Sequence, residues 1–393
     1  MISPELTAVF LVDCITGEFE ITGGDRHFVE IAREWQHCGQ DMIVLTPRVG
    51  KALLEAEGLR VSYRTLPFAY ADRLGLIVSY LVRGISAVLI LPWKLPRMLL
   101  YSTSDFLPDT LPGAIAKLLR GRSVFWVTIV HHVIPPPGER PGPFLRSWIS
   151  QKAQWVSHQL IRKWADLVFV VNPLLEEELK SLGFPPERIV LTSHGSSDPA
   201  SSLEEEAAYD GCFLGRLHPT KGIYDLVEIW RRVCDVCPGS RLAVIGGGPE
   251  QTVERLKGEI ERHGISDEVE VLGYLPREQV DGILLSSKVF LFPSHEEGFG
   301  ISVLEAMRCG LPVVAFSLSH YRKVFGESIE LVPMGAIGDF AANVTALLSD
   351  EKLRSEKAKL SLEHALEFTW GKVAAAEAEQ IRERLPSFRD SRT

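Results

Sequence analysis

Two cations and two carboxylates in the second half of this 393-residue chain carry the clearest chemistry that its sequence offers. Gly215-Arg216 ends an apolar run, and Lys221-Gly222 leads into a helical pattern, so Arg216 and Lys221 emerge together at the carboxyl end of a strand. Arginine grips two phosphate oxygens at once and lysine supplies a movable point charge, so the pair suits one bound anion. A second loop, His295-Glu296-Glu297-Gly298-Phe299-Gly300, follows another apolar run, and a helix starts near Ile301. Glycines there let a ligand approach the backbone, where free amides and the positive end of the helix dipole favour negative charge. Glu297 lies in this loop and Glu305 follows one turn into the helix. One carboxylate would meet a sugar and the other a ribose, each accepting hydrogen bonds from a hydroxyl pair. A glutamate near a helix start is also simply favourable there.

Weaker candidates surround these. Gly246-Gly247-Gly248 makes a third strand-to-helix turn on the same side, without the G-x-G-x-x-G spacing of a dinucleotide site. In the first half, Gly23-Gly24-Asp25 precedes a helical pattern and would admit a phosphate or an acceptor, while His131 and His132 follow a strand at its carboxyl end. Other chemistries lack their residues. Cys234-Asp-Val-Cys237 has no second ligand pair for zinc, and neither a G-x-x-x-x-G-K-[ST] loop nor a G-x-S-x-G elbow occurs.

These residues need strands and helices to hold them, and the pattern provides both. Strand-like runs at 8–12, 42–45, 99–102, 123–130, 167–171 and 188–192 alternate with helical patterns such as 26–38, 112–119 and 174–182. The alternation lapses in a polar stretch, 196–208, that reads as a linker. It restarts with strands at 211–215, 241–245, 269–272, 289–292 and 312–316 and helices at 223–236 and 252–262. Alternation of this kind predicts two doubly wound α/β domains, each around a parallel sheet. Ligands of such sheets bind outside the carboxyl ends of the strands, so a cleft between the domains would collect both sets of strand ends.

Composition agrees with that class. Hydrophobic residues make up 46% and charged residues 24%, which excludes disorder and coiled coil as descriptions of the whole chain. Six scattered cysteines read as reduced thiols of a cytoplasmic protein. A net charge of −9 argues against a general nucleic-acid binder. The charge is uneven, however. Residues 73–163 hold 12 basic and 3 acidic side chains, a local field that attracts phosphates or an anionic membrane. No secretory signal pattern opens the sequence. The apolar stretch 74–91 carries Arg83 and Gly84 near its middle and is closed by Pro92, which predicts a buried or interfacial helix rather than a spanning one. Residues 144–164 would place Leu145, Trp148, Ile149, Trp155 and Val156 on one broad helix face, with Lys152 and Lys163 off its centre.

Taken together, Gly215-Arg216 with Lys221-Gly222, then Gly246-Gly247-Gly248, then Glu297-Gly-Phe-Gly and Glu305-Ala-Met resemble the retaining glycosyltransferases of family 4. The Glu297–Glu305 spacing is similar to that family's E-x7-E motif, and Pro293-Ser294 before it also fits. The likeness extends through Gly23-Gly24, His131 and 166–172, and resumes at Phe368-Thr-Trp370. It implies the GT-B fold, two Rossmann-like α/β domains facing each other across a cleft. These are an acceptor domain at 1–200, a nucleotide-sugar donor domain at 201–370, and a closing helix, 371–393, that crosses back to the first. It further implies transfer of a sugar from a nucleotide diphosphate sugar, UDP- or GDP-linked, to a hydroxyl acceptor, lipid-linked or a cell-envelope glycan. Arg216 and Lys221 would neutralise the donor diphosphate and Glu305 would hold the ribose. Glu297 and the amides of Phe299, Gly300 and Ile301 would hold the sugar and its phosphate. His131 would sit beside the sugar, backbone around Tyr274 and Leu275 would read the base, and Gly23, Gly24, Gly215 and Gly247 would admit substrate. No metal or other cofactor is implied, because fixed cations and the helix dipole take its place. Two departures stand out: His194-Gly195 where the family has Asn-Gly, and 317–330, which lacks a glycine-rich pattern. A sugar-nucleotide epimerase or a non-catalytic nucleotide-sugar-binding subunit fits the same plan.

Overall fold

The computed structural model describes residues 2, 6–13, 23–67, 75–138, 144–199 and 208–385. The chain divides into two units, Met1–His194 with Trp370–Thr393, and Gly195–Thr369. Most of the polar stretch read as a linker, together with Cys14, lies outside the described residues.

The first unit runs β1 (Thr7–Leu11), α1 (Gly23–His37), β2 (Met42–Thr46), α2 (Arg48–Ala56), β3 (Ser62–Thr65), α3 (Leu76–Ile90), β4 (Met98–Ser102), α4 (Leu107–Arg120), β5 (Val124–Val130), α5 (Phe144–Trp164), β6 (Leu167–Val170), α6 (Pro173–Ser181) and β7 (Ile189–Leu191). Its strands pair in parallel in the order β3-β2-β1-β4-β5-β6-β7. The second unit runs β8 (Tyr209–Leu214), α7 (Ile223–Val236), β9 (Leu242–Ile245), α8 (Glu250–Arg262), β10 (Val269–Gly273), α9 (Arg277–Leu285), β11 (Ser287–Phe292), α10 (Ile301–Arg308), β12 (Val313–Phe316), α11 (Tyr321–Phe325), β13 (Glu330–Val332), α12 (Ile337–Ser349) and α13 (Glu351–Ala365). Its order, β10-β9-β8-β11-β12-β13, is the doubly wound Rossmann arrangement. Helix α14 (Trp370–Arg384) returns to the first unit.

Both halves are therefore parallel-sheet α/β units, as the alternation predicts. The central strands read as unbroken apolar runs because helices cover both faces; every residue of β4 and β5 is buried. Two short strands escaped the sequence reading. β3 is a mostly exposed edge strand, Ser-Tyr-Arg-Thr, and β13 has three residues, so neither presents an apolar run. Helix α4 begins at Leu107 rather than 112, with Pro112 inside it. Gly113 of that helix admits the Trp126 ring, since a Cβ there would lie 2.2 Å from it.

Helix α14 is fastened to the first unit by one buried carboxylate. Glu377 Oε1 lies 3.0 Å from His27 Nε2 and accepts from Thr192 Oγ1 at 2.8 Å, while Oε2 accepts from the Tyr101 hydroxyl at 3.0 Å. Trp35 Nε1 adds a bond to Ala374 O at 3.1 Å. Removing the carboxylate would strand buried His27 and Tyr101 and half-buried Thr192. Glu377→Ala should destabilise the protein by about 3 kcal/mol or more, read as a fall in the urea unfolding midpoint. An unchanged midpoint would show that α14 is held by apolar contact alone.

Candidate active site

In the second unit, glycines bring three strand-end loops into contact. Gly246, at φ 143°, lies so near β8's exit that a Cβ would stand 1.8 Å from Gly215 O. Leu217 N donates to Gly247 O at 2.7 Å, and a Cβ on Gly248 would meet Leu217 O. The three-glycine turn thus serves loop-on-loop packing. Gly222 does the same on the other side. At φ 67° its Cβ would strike Pro293 O at 1.7 Å, and His295 N donates to Thr220 O at 2.8 Å. Only glycine permits both that backbone conformation and that approach.

The consequence is an ion pair. Lys221 Nζ lies 2.5 Å from Glu297 Oε1 and donates to Glu296 O at 3.1 Å; Ser294 Oγ donates to the same Glu297 oxygen at 3.0 Å. The two side chains are only 14% and 13% exposed. The sequence reading gave Lys221 to a phosphate and Glu297 to a sugar; here they hold each other. Arg216 is exposed and makes no ion pair among the described residues, leaving its guanidinium open to an anion.

Glu305 is likewise engaged. It pairs with Arg277, whose Nε also reaches Asp281 Oδ1 at 2.8 Å. The two carboxylates raise the Arg277 pKa against the opposing effect of burial. Arg277 stands beside exposed Tyr274 and half-buried Leu275, the segment assigned to base reading. No motif spacing marks it, and sequence reasoning missed it.

Helix α10 starts at Ile301 as expected, behind Gly300 at φ 106°. Its first donors bonded inside the helix are Val303 and Leu304, both to Gly300 O, so the half-buried Ile301 and Ser302 amides have no partner inside the helix. Phe299 is buried against Phe325 and Phe368. Beneath Gly300 lies Tyr321, whose hydroxyl is buried without a partner and whose pKa rises through burial and the nearby Glu297 charge. His320 beside it is lowered to about 4 by burial. Tyr321 fills the segment where the expected glycine-rich pattern is absent.

In the first unit, Gly23 and Gly24 form the first turn of α1 rather than preceding it. A Cβ on Gly24 would stand 3.1 Å from His131 Nε2. His131 follows β5 and joins a cluster, its ring stacked on His194 at 5.6 Å and edge-on to His27 at 6.0 Å. Its Nε2 lies 3.2 Å from Thr103 O, which places the proton there and leaves Nδ1, buried and without a partner, as an acceptor lone pair. Burial, then neighbouring His27, lower His131 to about 4, and His194 falls well below 6.5 for the same reasons. His27 Nδ1 stands 3.1 Å from His194 Nδ1, so the His194 that replaces asparagine takes part in the chain ending at Glu377. Neither His27 nor Glu377 carries a sequence signal, because each is recognised only by what it touches.

Comparison with known proteins follows the same two units. A family described as "Glycosyl transferases group 1" matches residues 197–360, and a "Glycosyl transferase 4-like domain" matches residues 22–195. The 2-deoxystreptamine N-acetyl-D-glucosaminyltransferase of Streptomyces fradiae is 25% identical, across 96% of this chain and 94% of its own. The D-inositol 3-phosphate glycosyltransferase of Mycolicibacterium smegmatis is 32% identical over 42% of this chain and 38% of its own. Among solved structures, Anabaena HepE in complex with UDP and glucose superposes with a TM-score of 0.75 at 19% identity, covering 96% of this chain and all of that one. Sucrose-phosphate synthase from Thermosynechococcus elongatus gives 0.76 at 17% identity, covering 97% of this chain and all of the other. At these identities the likeness is one of fold. The chain belongs to the family-4-type glycosyltransferases of GT-B fold, and it is a transferase enzyme.

The histidine cluster sets a pH dependence. A histidine held below its ordinary 6.5 binds fewer protons folded than unfolded, so its contribution is present above 6.5 and is lost as pH falls toward 4. Stability should fall as pH is lowered from about 6.5, by roughly 3 kcal/mol for His131 alone once pH is below about 4, read as a lower urea midpoint, and His131→Gln should flatten the profile. A profile unchanged by that substitution would remove His131 from the effect.

Proposed function

We propose that this enzyme transfers a sugar, with retention, from a nucleotide diphosphate sugar, UDP- or GDP-linked, to a hydroxyl acceptor. The observation that carries the reading is the Lys221–Glu297 pair, with exposed Arg216 in the same loop as Lys221 and the first amides of α10 following Glu297. An arriving diphosphate offers Lys221 a second anionic partner. As Lys221 turns to it, Glu297 is released to accept hydrogen bonds from sugar hydroxyls, so one ligand satisfies both halves of the pair. HepE has been crystallised with UDP and with UDP-glucose, which supports this class of donor.

Departure of the diphosphate is the hard step, because negative charge builds on its leaving oxygen. Arg216, Lys221 and the α10 amides would stabilise that charge more in the transition state than before it. These fixed positive groups supply the neutralisation that a divalent ion supplies elsewhere, so turnover is proposed to be metal-independent. His131 Nδ1, neutral near pH 7, would accept from a sugar hydroxyl rather than donate. No enzyme nucleophile is assigned, and attack by the acceptor on the face the diphosphate leaves accounts for retention. The acceptor is proposed to be lipid-linked or a cell-envelope glycan, with the protein cytoplasmic and peripheral at the inner face of the membrane.

Sugar release from UDP- and GDP-sugars, followed by anomer analysis of the product, tests the reading; inversion at the anomeric carbon would overturn retention. Arg216→Ala should lower turnover about 100- to 1000-fold with the thermal midpoint preserved, and Lys221→Ala should lower it as much with a reduced midpoint, because enclosed Glu297 loses its partner. Near-normal turnover in either would place the diphosphate elsewhere. Turnover should also persist in EDTA, and activity that is lost there and restored by magnesium or manganese would refute the metal-free mechanism.

A further inference from the structure

Helix α3 is built inside out. Its buried positions are Ser79, Arg83, Gly84, Ser86 and Ala87, while Ile77, Leu81, Ile85 and Leu89 are 54%, 43%, 52% and 68% exposed. Those four recur every fourth residue and form one stripe along the outer side. The inward side is small because α3 lies hard against α4, where a Cβ on Gly84 would stand 3.0 Å from the Leu111 side chain. Its one charge, Arg83, also points inward, toward Asp13 and Asp109. A helix bathed only in water turns its large apolar residues to the core and its charges out.

Helix α5 repeats the inversion. Gln154, Ser157 and His158 are buried, with Gln154 Nε2 and His158 Nε2 each 2.8 Å from Asp105 Oδ2. Leu145, Trp148, Trp155 and Val156 are exposed instead. Lys152 shares their side, four residues after Trp148 and four before Val156, contrary to the off-centre position expected from sequence. Helices α3, α4 and α5 pack side by side, so the two apolar stripes belong to one region of the first unit.

Within the segment that carries these stripes the exposed charge has a single sign, although exposed Glu178 of α6 lies near His158 of α5. Within 73–163 the acidic residues are Asp105 and Asp109, both buried, and Glu139, outside the described residues. Lys94, Arg122, Lys152, Arg162 and Lys163 are all exposed. Among the described residues of this segment, every exposed charge is therefore a cation.

We propose that α3 and α5 form a footing that beds in an anionic lipid surface, the apolar stripes reaching the acyl boundary and the cations lying among headgroups. This surface rests on the peripheral location proposed above and gives it residues, while it stands apart from the donor-site chemistry. Charge complementarity selects the occupant: self-pairing across a two-fold axis would set cations against cations, whereas an anionic headgroup layer answers both stripe and charge. Among the described residues no helix is long and apolar enough to cross a membrane, so the footing lies on the bilayer.

Flotation of the full chain with phosphatidylglycerol-containing vesicles and with pure phosphatidylcholine vesicles tests this. Recovery should favour the anionic vesicles by about tenfold or more and fall at high salt. Ile85→Glu with Leu89→Glu, both at exposed positions, should cost roughly tenfold in recovery with an unchanged thermal midpoint. Lys152→Glu with Lys163→Glu should remove the preference for anionic lipid independently. No recovery on anionic vesicles, equal recovery on both kinds, undiminished recovery of the Ile85/Leu89 variant, or a dimer in sedimentation velocity that this variant dissolves would each overturn the proposal.

Discussion

The Lys221–Glu297 ion pair depends on a backbone contact that only glycine permits, and most of the second unit's strand ends are arranged around it. Gly222 brings its loop onto Pro293, which carries Lys221 to Glu297; Ser294 then bonds the same carboxylate oxygen. A pair this enclosed draws modest net stability from Coulomb attraction, since desolvation offsets much of it. On the proposed reading its worth is in what it stores: two groups meant for different parts of a ligand are kept close and mutually satisfied until that ligand arrives. Arg277 plays the same part for Glu305. These four groups are thus paired with one another, while Arg216 stays exposed.

The first unit solves a different problem with the same economy of groups. Glu377, His27 and His194 form a buried polar chain, and His131 stacks on its end. Each of these three faces another polar atom, as buried polar groups require. The tautomer of His131 follows from the Thr103 carbonyl oxygen.

What could be read from sequence was local. Apolar runs located the central strands to within a residue or two because those strands are buried on both faces, and Glu297 and Glu305 stood out because a loop and the helix after it are contiguous. Edge strand β3 was invisible because its side chains are exposed. Arg277 and Glu377 were missed because their partners lie 28 and 350 residues away, and no periodicity links them. The apolar character of 74–91 was plain, but its direction was not. Whether a leucine faces the core or the outside is decided by Gly84 meeting Leu111, a tertiary contact.

The return of α14 makes the first unit discontinuous in the chain. Trp35 bonds to a carbonyl 339 residues further on, and Tyr101 and Thr192 share a carboxylate that belongs to residue 377. During synthesis the unit begun first is therefore the one completed last. Its histidines and Trp35 are without these partners while the ribosome makes all of Gly195–Thr369, a stretch that contains a whole sheet of its own. For that interval the later unit can reach its final contacts and the earlier one cannot, so the usual amino-to-carboxyl order of domain maturation is reversed.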